Sequence, residues 1–248
     1  MLDSALLWYF AAGFGAQLVD SSLGMAFGTL SSSSLLALGF PAQSLSATVH
    51  TAEIFTSAMS SYSHWRLRNI DFALLRRLAP FAVLGALLGS LAILLMPGDN
   101  LRPLLAVYFV MIGSVIAFKA LWPAAVRPLR QISARAVGGL GGFFDAFTGA
   151  GWGEIVSSGL ILRGDNVQKS VGTLNSTEFL VTTTVTLVFI TASSATHWPT
   201  VVALALGGMC AAPIGAWACK HLPARPLTFA VGVVVALLGL RTLGLALV

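Results

Sequence analysis

The chain is a succession of apolar runs of roughly 20 residues separated by short polar gaps, and each run can cross a hydrocarbon core of about 30 Å. Backbone N–H and C=O groups inside such a core must satisfy one another, which runs of this length do as α-helices. Composition supports lipid as the solvent: 56% of the 248 residues are hydrophobic and 9% charged, whereas soluble domains carry about a quarter. The gaps are too short to hold a soluble catalytic domain. The net charge of +5 does not point to nucleic acid, because the basic residues sit in those gaps, where they orient the chain during insertion. Cys210 and Cys219 lie in or at the end of one apolar run and read as small packing residues, with no disulfide framework or metal cluster. Met1-Leu2-Asp3-Ser4 brings no positive charge and no Lys or Arg precedes Arg66, so the first run is expected to belong to the mature protein.

The sequence repeats itself. Shifted by 125 residues, Gly13 to Ser57 aligns without a gap on Gly138 to Thr182, with 11 identities in 45 positions. They are Gly13/Gly138, Asp20/Asp145, Gly24/Gly149, Gly28/Gly153, Ser32/Ser157, Ser33/Ser158, Leu35/Leu160, Gly39/Gly164, Gln43/Gln168, Thr48/Thr173 and Glu53/Glu178. Chance likeness between apolar helices would match Leu, Ala and Val; these matches favour Gly, Ser, Asp, Gln and Glu. Arg102-Pro103-Leu104 against Arg225-Pro226-Leu227 is a weaker echo. The expected organisation is a first repeat over 1–122, a cytoplasmic linker over 123–135 and a second repeat over 136–248. Each repeat opens with two short Gly-interrupted segments, 5–19 and 24–38 matched by 137–148 and 152–162. Being short for full crossings, each pair reads as a re-entrant or broken helical hairpin. Three transmembrane helices follow, 45–63, 73–96 and 103–121, matched by 170–191, 199–219 and 226–247.

Lys and Arg set the orientation. Arg66, Arg68, Arg76 and Arg77 fill one gap, while its counterpart around Ser193 to Trp198 has neither residue type. The gap at 39–44 has none, while its counterpart holds Arg163 and Lys169. Equivalent gaps thus face opposite sides. With Arg66–Arg77 in the cytoplasm, Lys119, Arg127, Arg130, Arg135, Arg163, Lys169, Lys220 and Arg225 join them, leaving only Arg102 and Arg241 outside. The expected fold class is therefore an all-α polytopic membrane protein of two inverted repeats, with both termini periplasmic. Inverted repeats are typical of secondary transporters, whose sites lie at the repeat interface near the midplane.

Ionisable side chains in hydrocarbon cost about 2.5–3.5 kcal/mol on insertion scales. Glu53 and Glu178 enter from opposite faces, each roughly 13 Å deep at 1.5 Å per residue. A polar stripe, Ser46, His50, Glu53 and Ser57, recurs as Asn175, Glu178, Thr182 and Thr186. It reads either as a solute or proton site or as a helix–helix hydrogen-bond clamp. The second constellation is Asp20 to Gly28 with its echo Asp145 to Gly153. Glycine breaks let backbone N–H groups approach a ligand, and the following helix points its positive end at the break. Each Asp can equally N-cap that helix. Glu154, where the first half has Thr29, reads either as a helix first-turn acid, the bland option, or as a gate. His50-x-x-Glu53 is a poor metal motif, with no further His or Cys in the aligned repeat. His64, Trp65 and Trp122 read as interface anchors.

No Lys or Arg lies deep in a span, so an anion would rely on N–H dipoles, Gln17, Ser21, Ser22, Asn175 and Ser176, with Gly24, Gly28, Gly149 and Gly153 beside it. A cation would pair with Glu53, Glu178, Asp20 and Asp145, and spacing alone does not separate the two. For an anion, those carboxyls must be neutral on binding, which implies proton coupling through Asp20, His50, Glu53, Asp145 and Glu178.

The duplicated Gly-rich opening with Asp20 and Asp145, the stretch Val171-Gly172-Thr173-Leu174-Asn175-Ser176-Thr177-Glu178-Phe179 and the short length resemble the sulfite exporter TauE/SafE family over nearly the whole chain. The resemblance implies a bacterial inner-membrane transporter of a small sulfur-containing anion such as sulfite, sulfoacetate or a related organosulfonate. It also implies outward movement and no ATP-binding domain. The expectation is a proton- or potential-coupled alternating-access carrier that is not an enzyme and uses no cofactor or metal. Its partners are the solute and the lipid bilayer, with no nucleic acid and no oligomer required. An ion channel, or a carrier of a different small anion or a cation, is the alternative.

Overall fold

A computed structural model describes residues 2–96, 101–122, 133–163, 167–192, 196–219, 221 and 224–246. Among these residues the chain forms ten α-helices and no strand. They are α1 (Leu2–Leu23), α2 (Phe27–Ala37), α3 (Ala42–Arg66), α4 (Phe72–Leu94), α5 (Leu101–Leu121), α6 (Ala134–Thr148), α7 (Trp152–Arg163), α8 (Val167–Thr191), α9 (Trp198–Ala218) and α10 (Ala224–Ala246). Five of them, α4, α5, α8, α9 and α10, are long and apolar enough to cross a membrane. Most of the 123–135 segment, with Arg127 and Arg130, lies outside the described residues, as does Lys220. α6 begins inside the expected linker, at Ala134, where the Ser133 hydroxyl accepts the Arg135 N–H and caps the helix. α1 runs to 22 residues, longer than its apolar core, because Asp20, Ser21 and Ser22 are buried against other helices and need no aqueous end.

Each Gly-interrupted pair is a helical hairpin with the same break. Gly24 and Gly149 both have φ +73°, and Ala26 and Gly151, again 125 positions apart, have φ 106° and 123°. The breaks close with matching backbone bonds, Gly24 N to Asp20 O at 2.6 Å and Gly149 N to Asp145 O at 2.8 Å.

Contacts between the segments sort the gaps onto two ends. At one end Phe40 packs edge-on against His197, the His197 N–H donates to Thr48, and Arg102 reaches the Leu36 carbonyl. At the other end the Asp71 N–H donates to Thr173, Asn69 lies against Gly172, and Arg135 sits over the Phe81 ring. α1 runs parallel to α9, with Phe10 against Gly207 and Ser21 against Gly215. It therefore starts at the His197 end, to which α2 returns. α6 runs parallel to α4 in the same way, with Gly138 at Leu78 and Ala146 at Gly89. The α1–α2 hairpin thus begins and ends at one end of the protein.

Equivalent helices run antiparallel. Gly113 of α5 meets Gly232 and Ala236 of α10, whereas Ala106 and Val110 meet Gly239. α10 accordingly ends at the His197 end, where α1 begins. Thr48 and Thr173, mates in the repeat, make the same hydroxyl contact with opposite loops. Partners also exchange between halves: α1 packs on α9 and its counterpart α6 on α4.

Two adjacent residues at the end of α3 part company. Trp65 is 54% exposed, as an anchor would be, and so is Trp122. His64 is instead fully buried, with Nε2 2.9 Å from the Ser21 carbonyl, because one residue of helix turns it about 100° inward. Cys210 faces outward and Cys219 is half-buried, so only the second has any share in packing.

Candidate functional site

The polar stripe of α3 and its counterpart on α8 both face inward, while Phe55, Tyr62 and Trp65 of α3 and Leu180, Leu187 and Ile190 of α8 face outward. Ser46, His50, Glu53 and Ser57 are buried, and so are Asn175, Glu178, Thr182 and Thr186. The two hairpin breaks lie beside them. Asp145 Oδ1 accepts the N–H of Trp152, the first residue of α7, at 3.1 Å. Asp20, its mate, stands at the matching break ahead of Phe27, the first residue of α2. The capping reading therefore holds for Asp145, whose carboxyl group already occupies part of the positive end of α7.

The remaining oxygens build two related acid pairs. Asp145 faces His50 and Glu53, with donor atoms of all three within 4.8 Å of one another, and His50 Nε2 lies 3.0 Å from Asp145 Oδ2. Asp20 stands beside Glu178 in the same way. Each pair thus joins the break of one repeat to the glutamate of the other. Glu154 lies between the pairs and accepts the hydroxyl of Thr29, its own mate 125 positions away. A residue that touches its own mate sits at the two-fold relation between the halves. The bland first-turn reading of Glu154 therefore misses its cross-repeat partner. His50, Asp20 and Glu53 are at most 1% exposed, so the centre is closed to solvent.

The expected solute ligands divide. Gln17 Nε2 donates to Ser21 Oγ at 2.9 Å and lies 3.4 Å from Asp20, while Gln17 Oε1 has no partner. Ser21 also meets Ser60 at 2.8 Å, and the Ser60 hydroxyl donates to Asn175 Oδ1 at 2.6 Å. Gln17, Ser21 and Asn175 therefore form one network with Asp20. Ser22 bonds only to its own helix, at Val19 O, and Ser176 turns away to accept from Ser61 at 3.0 Å. Ser61 and Ser176 floor an open groove of about 430 Å³ between α3, α4 and α8, lined by Tyr62, Trp65, Phe72 and Phe179. Gly28 and Gly153 lie where the breaks cross: a Cβ on Gly28 would face Gly149 O at 3.2 Å, and one on Gly153 would face Met25 Cα at 2.3 Å. Gly24 lies against Val171 and Leu174, and Gly149 against Ser32 and Ser46.

A family model for the sulfite exporter TauE/SafE matches residues 9–242. The chain belongs to the sulfite exporter TauE/SafE family. Among curated proteins, this TauE/SafE chain is 34% identical over 240 residues to the probable membrane transporter protein YtnM of Bacillus subtilis (strain 168), covering 93% of this chain and 80% of that protein. No solved structure matches it. Like its relative, this TauE/SafE protein is a multi-pass membrane transporter.

Sequence reasoning did not find Ser60, Ser61, Trp152 or Tyr108. Trp152 is fully buried and its indole N–H donates to Leu174 O at 3.3 Å, while the Tyr108 hydroxyl donates to Ala150 O at 3.1 Å beside the second break. Ser60 had a signal, since it falls on the same face as Glu53 and Ser57, seven and three residues on. Tyr108 lies outside the aligned repeat and had none.

Proposed function

We propose that this protein exports a small sulfur-containing anion, of the sulfite, sulfoacetate or organosulfonate class, across the bacterial inner membrane by alternating access between two inverted halves. The observation that carries this reading is the pair of cross-repeat acid sets, Asp20 with Glu178 and Asp145 with Glu53, closed to solvent between the halves. The antiparallel run of α5 against α10 supports inversion in the bilayer. The arginines at 66–77 support a periplasmic position for the opposite end, where α1 begins and α10 finishes.

The solute head binds beside the crossed breaks, with Gln17, Ser21 and Asn175 as its polar partners and Ser22 and Ser176 outside this set. An anion is repelled by ionised carboxylates, so Asp20, Glu53, Asp145 and Glu178 hold protons while it is bound. A single negative charge leaving a cell gains about 2.3 kcal/mol per 100 mV of inside-negative potential. Protons travelling with it cancel that gain, so the sign of the current reports the coupling. Currents from proteoliposomes on a solid-supported membrane, with sulfite, sulfoacetate, thiosulfate and taurine and with or without a pH gradient, test the reading. A saturable current for one of them is expected, and silence from folded protein across the panel refutes the substrate class. The wealth of acids over cations in the centre favours a second reading, a carrier of a small cation, which a current with cations alone would establish.

A further inference from the structure

The two acid pairs are mates, but their neighbours are not. Position 50 is His and position 175 is Asn. Both side chains make the same bond back along their helices: His50 Nδ1 lies 2.9 Å from Ser46 O, and Asn175 Nδ2 donates to Val171 O at 3.1 Å. They differ at the other end. Asn175 Oδ1 accepts from Ser60, whereas His50 Nε2 faces the Asp145 carboxyl.

The hydrogens at His50 can be counted. The Ser46 hydroxyl donates to the Ala146 carbonyl at 3.1 Å, so its one hydrogen is committed. A carbonyl oxygen only accepts. His50 Nδ1, facing the Ser46 carbonyl and the Ser46 Oγ at 3.2 Å, must therefore carry a hydrogen and donate. A neutral imidazole then has a lone pair on Nε2, and the 3.0 Å contact with Asp145 Oδ2 holds only if one proton lies between them. That proton sits on the carboxyl of a neutral pair or on the imidazole of an ion pair. The other oxygen of the same carboxyl holds the first N–H of α7 at the second break. Removing the proton would leave two lone pairs opposed at the residue that fixes that break.

We propose that the His50–Asp145 pair is the single proton-loading centre of the transporter, and that its two-fold mate at Asn175 and Asp20 keeps a fixed complement of protons. This rests on the transporter reading above and assigns its coupling to one half. The ionisable side chains on α3 and the elements packed against it are Glu53, His64 and Arg66 on α3 itself, Asp145 with Arg135 on α6, Glu178 with Lys169 on α8, and Tyr108 with Arg102 and Lys119 on α5. α2 and α9, which also pack on α3, bring no charged side chain. Asp20 and Glu154 lie across the centre. Among these only Asp145 is within hydrogen-bond distance of the imidazole, so loading the proton there changes the charge felt by Glu53 and the hold on Trp152 together.

The test is calorimetric titration of the purified full-length protein with sulfoacetate in buffers of different ionisation enthalpy, which counts protons taken up per solute bound. At a pH high enough for the solute-free pair to have lost the proton counted above, wild type is expected to take up about one proton per solute, and His50→Asn and Asp145→Asn none. Asp20→Asn is expected to keep the wild-type number. A His50→Asn protein that binds sulfoacetate with the wild-type proton number overturns the proposal, as does loss of the number in Asp20→Asn alone. Nitrogen-15 NMR of labelled histidines in the solute-free protein supplies a readout that does not need sulfoacetate to be the cargo. The His50 signals are expected to show a protonated Nδ1, and the Nε2 signal to shift in Asp145→Asn but not in Asp20→Asn. An unprotonated Nδ1, or an Nε2 signal indifferent to Asp145→Asn, overturns the proposal even where no solute of the panel binds. Absence of sulfoacetate binding with the NMR pattern intact removes the substrate class and upholds the proton pair.

Discussion

Gly153 and Gly28 are mates, yet the breaks cross them unequally, and that inequality can be measured. A Cβ on Gly153 would stand 2.3 Å from Met25 Cα and 2.5 Å from the Gly24 carbonyl oxygen. One on Gly28 would stand 3.2 Å from the Gly149 oxygen and 3.3 Å from Ala150 Cα. Ordinary contact needs about 3.4 Å. The Gly153→Ala hairpin must therefore retreat by about 1 Å, and the Gly28→Ala hairpin by a few tenths of an ångström. The blocking atoms at Gly153 are mainly backbone of the opposite break, so no change of rotamer relieves the clash. Overpacking of this kind costs about 1–3 kcal/mol. Gly153→Ala is expected to lose that much in thermal unfolding in detergent micelles, and Gly28→Ala less than about 1 kcal/mol by the same comparison. Transport should separate the two further, since a misplacement of about 1 Å in positioned groups costs on the order of 100-fold in enzymes. Equal unfolding temperatures for the two variants, or a greater loss in Gly28→Ala, would refute the crossing geometry.

Three further outcomes follow from single observations. Ala26 holds φ 106° where its mate is Gly151; such strain costs about 1–3 kcal/mol, so Ala26→Gly should raise the unfolding temperature, and a fall would show the residue unstrained. Thr29→Val leaves the Glu154 carboxyl without its donor, a loss of about 1–3 kcal/mol, whereas Ser22→Ala, whose hydroxyl bonds only its own helix, should stay within about 0.5 kcal/mol; equal effects in detergent unfolding would sink the contrast. His50, Glu53 and Asp145 are close enough to share an ion, but a proton already joins two of them, so treatment with a chelator should leave solute currents unchanged. A loss restored by added zinc would make the group a metal centre.

The repeat was legible because the residues that preserve it, Asp20, Gly24, Gly28, Thr48, Glu53 and their mates, are those whose chemistry apolar drift cannot replace. Thr48 and Thr173 are an instance: each keeps its hydroxyl because it accepts a loop N–H at the end of its span. Register between the halves was not legible. His50 and Asp145 lie 95 residues apart, and only the packing of α3 against α6 brings them together. A metal motif sought along one helix likewise cannot see a third ligand that arrives from another. His64 was misplaced for a local reason, since its neighbour Trp65 is a sound interface residue and helical phase alone separates them.

The exchange of helices between halves bears on how the protein can move. Gly207 and Gly13 let the backbones of α9 and α1 touch at Phe10 and Leu204, and Gly85 and Gly142 do the same for α4 and α6 at Gly139 and Ala82. Close small-residue packing of this kind is what holds helices together in lipid, where apolar burial gives no preference. Rocking residues 1–122 as a block against 136–248 would tear both seams, because each seam joins one helix of each block. A movement in which α1 travels with α9 and α6 with α4 keeps every such contact. It also carries Asp20 and Asp145 on opposite moving units, while Glu53 and Glu178 ride on α3 and α8 between them. The carboxyl pairs are then the joints that such a movement opens, with the proposed His50–Asp145 proton pair at one of them.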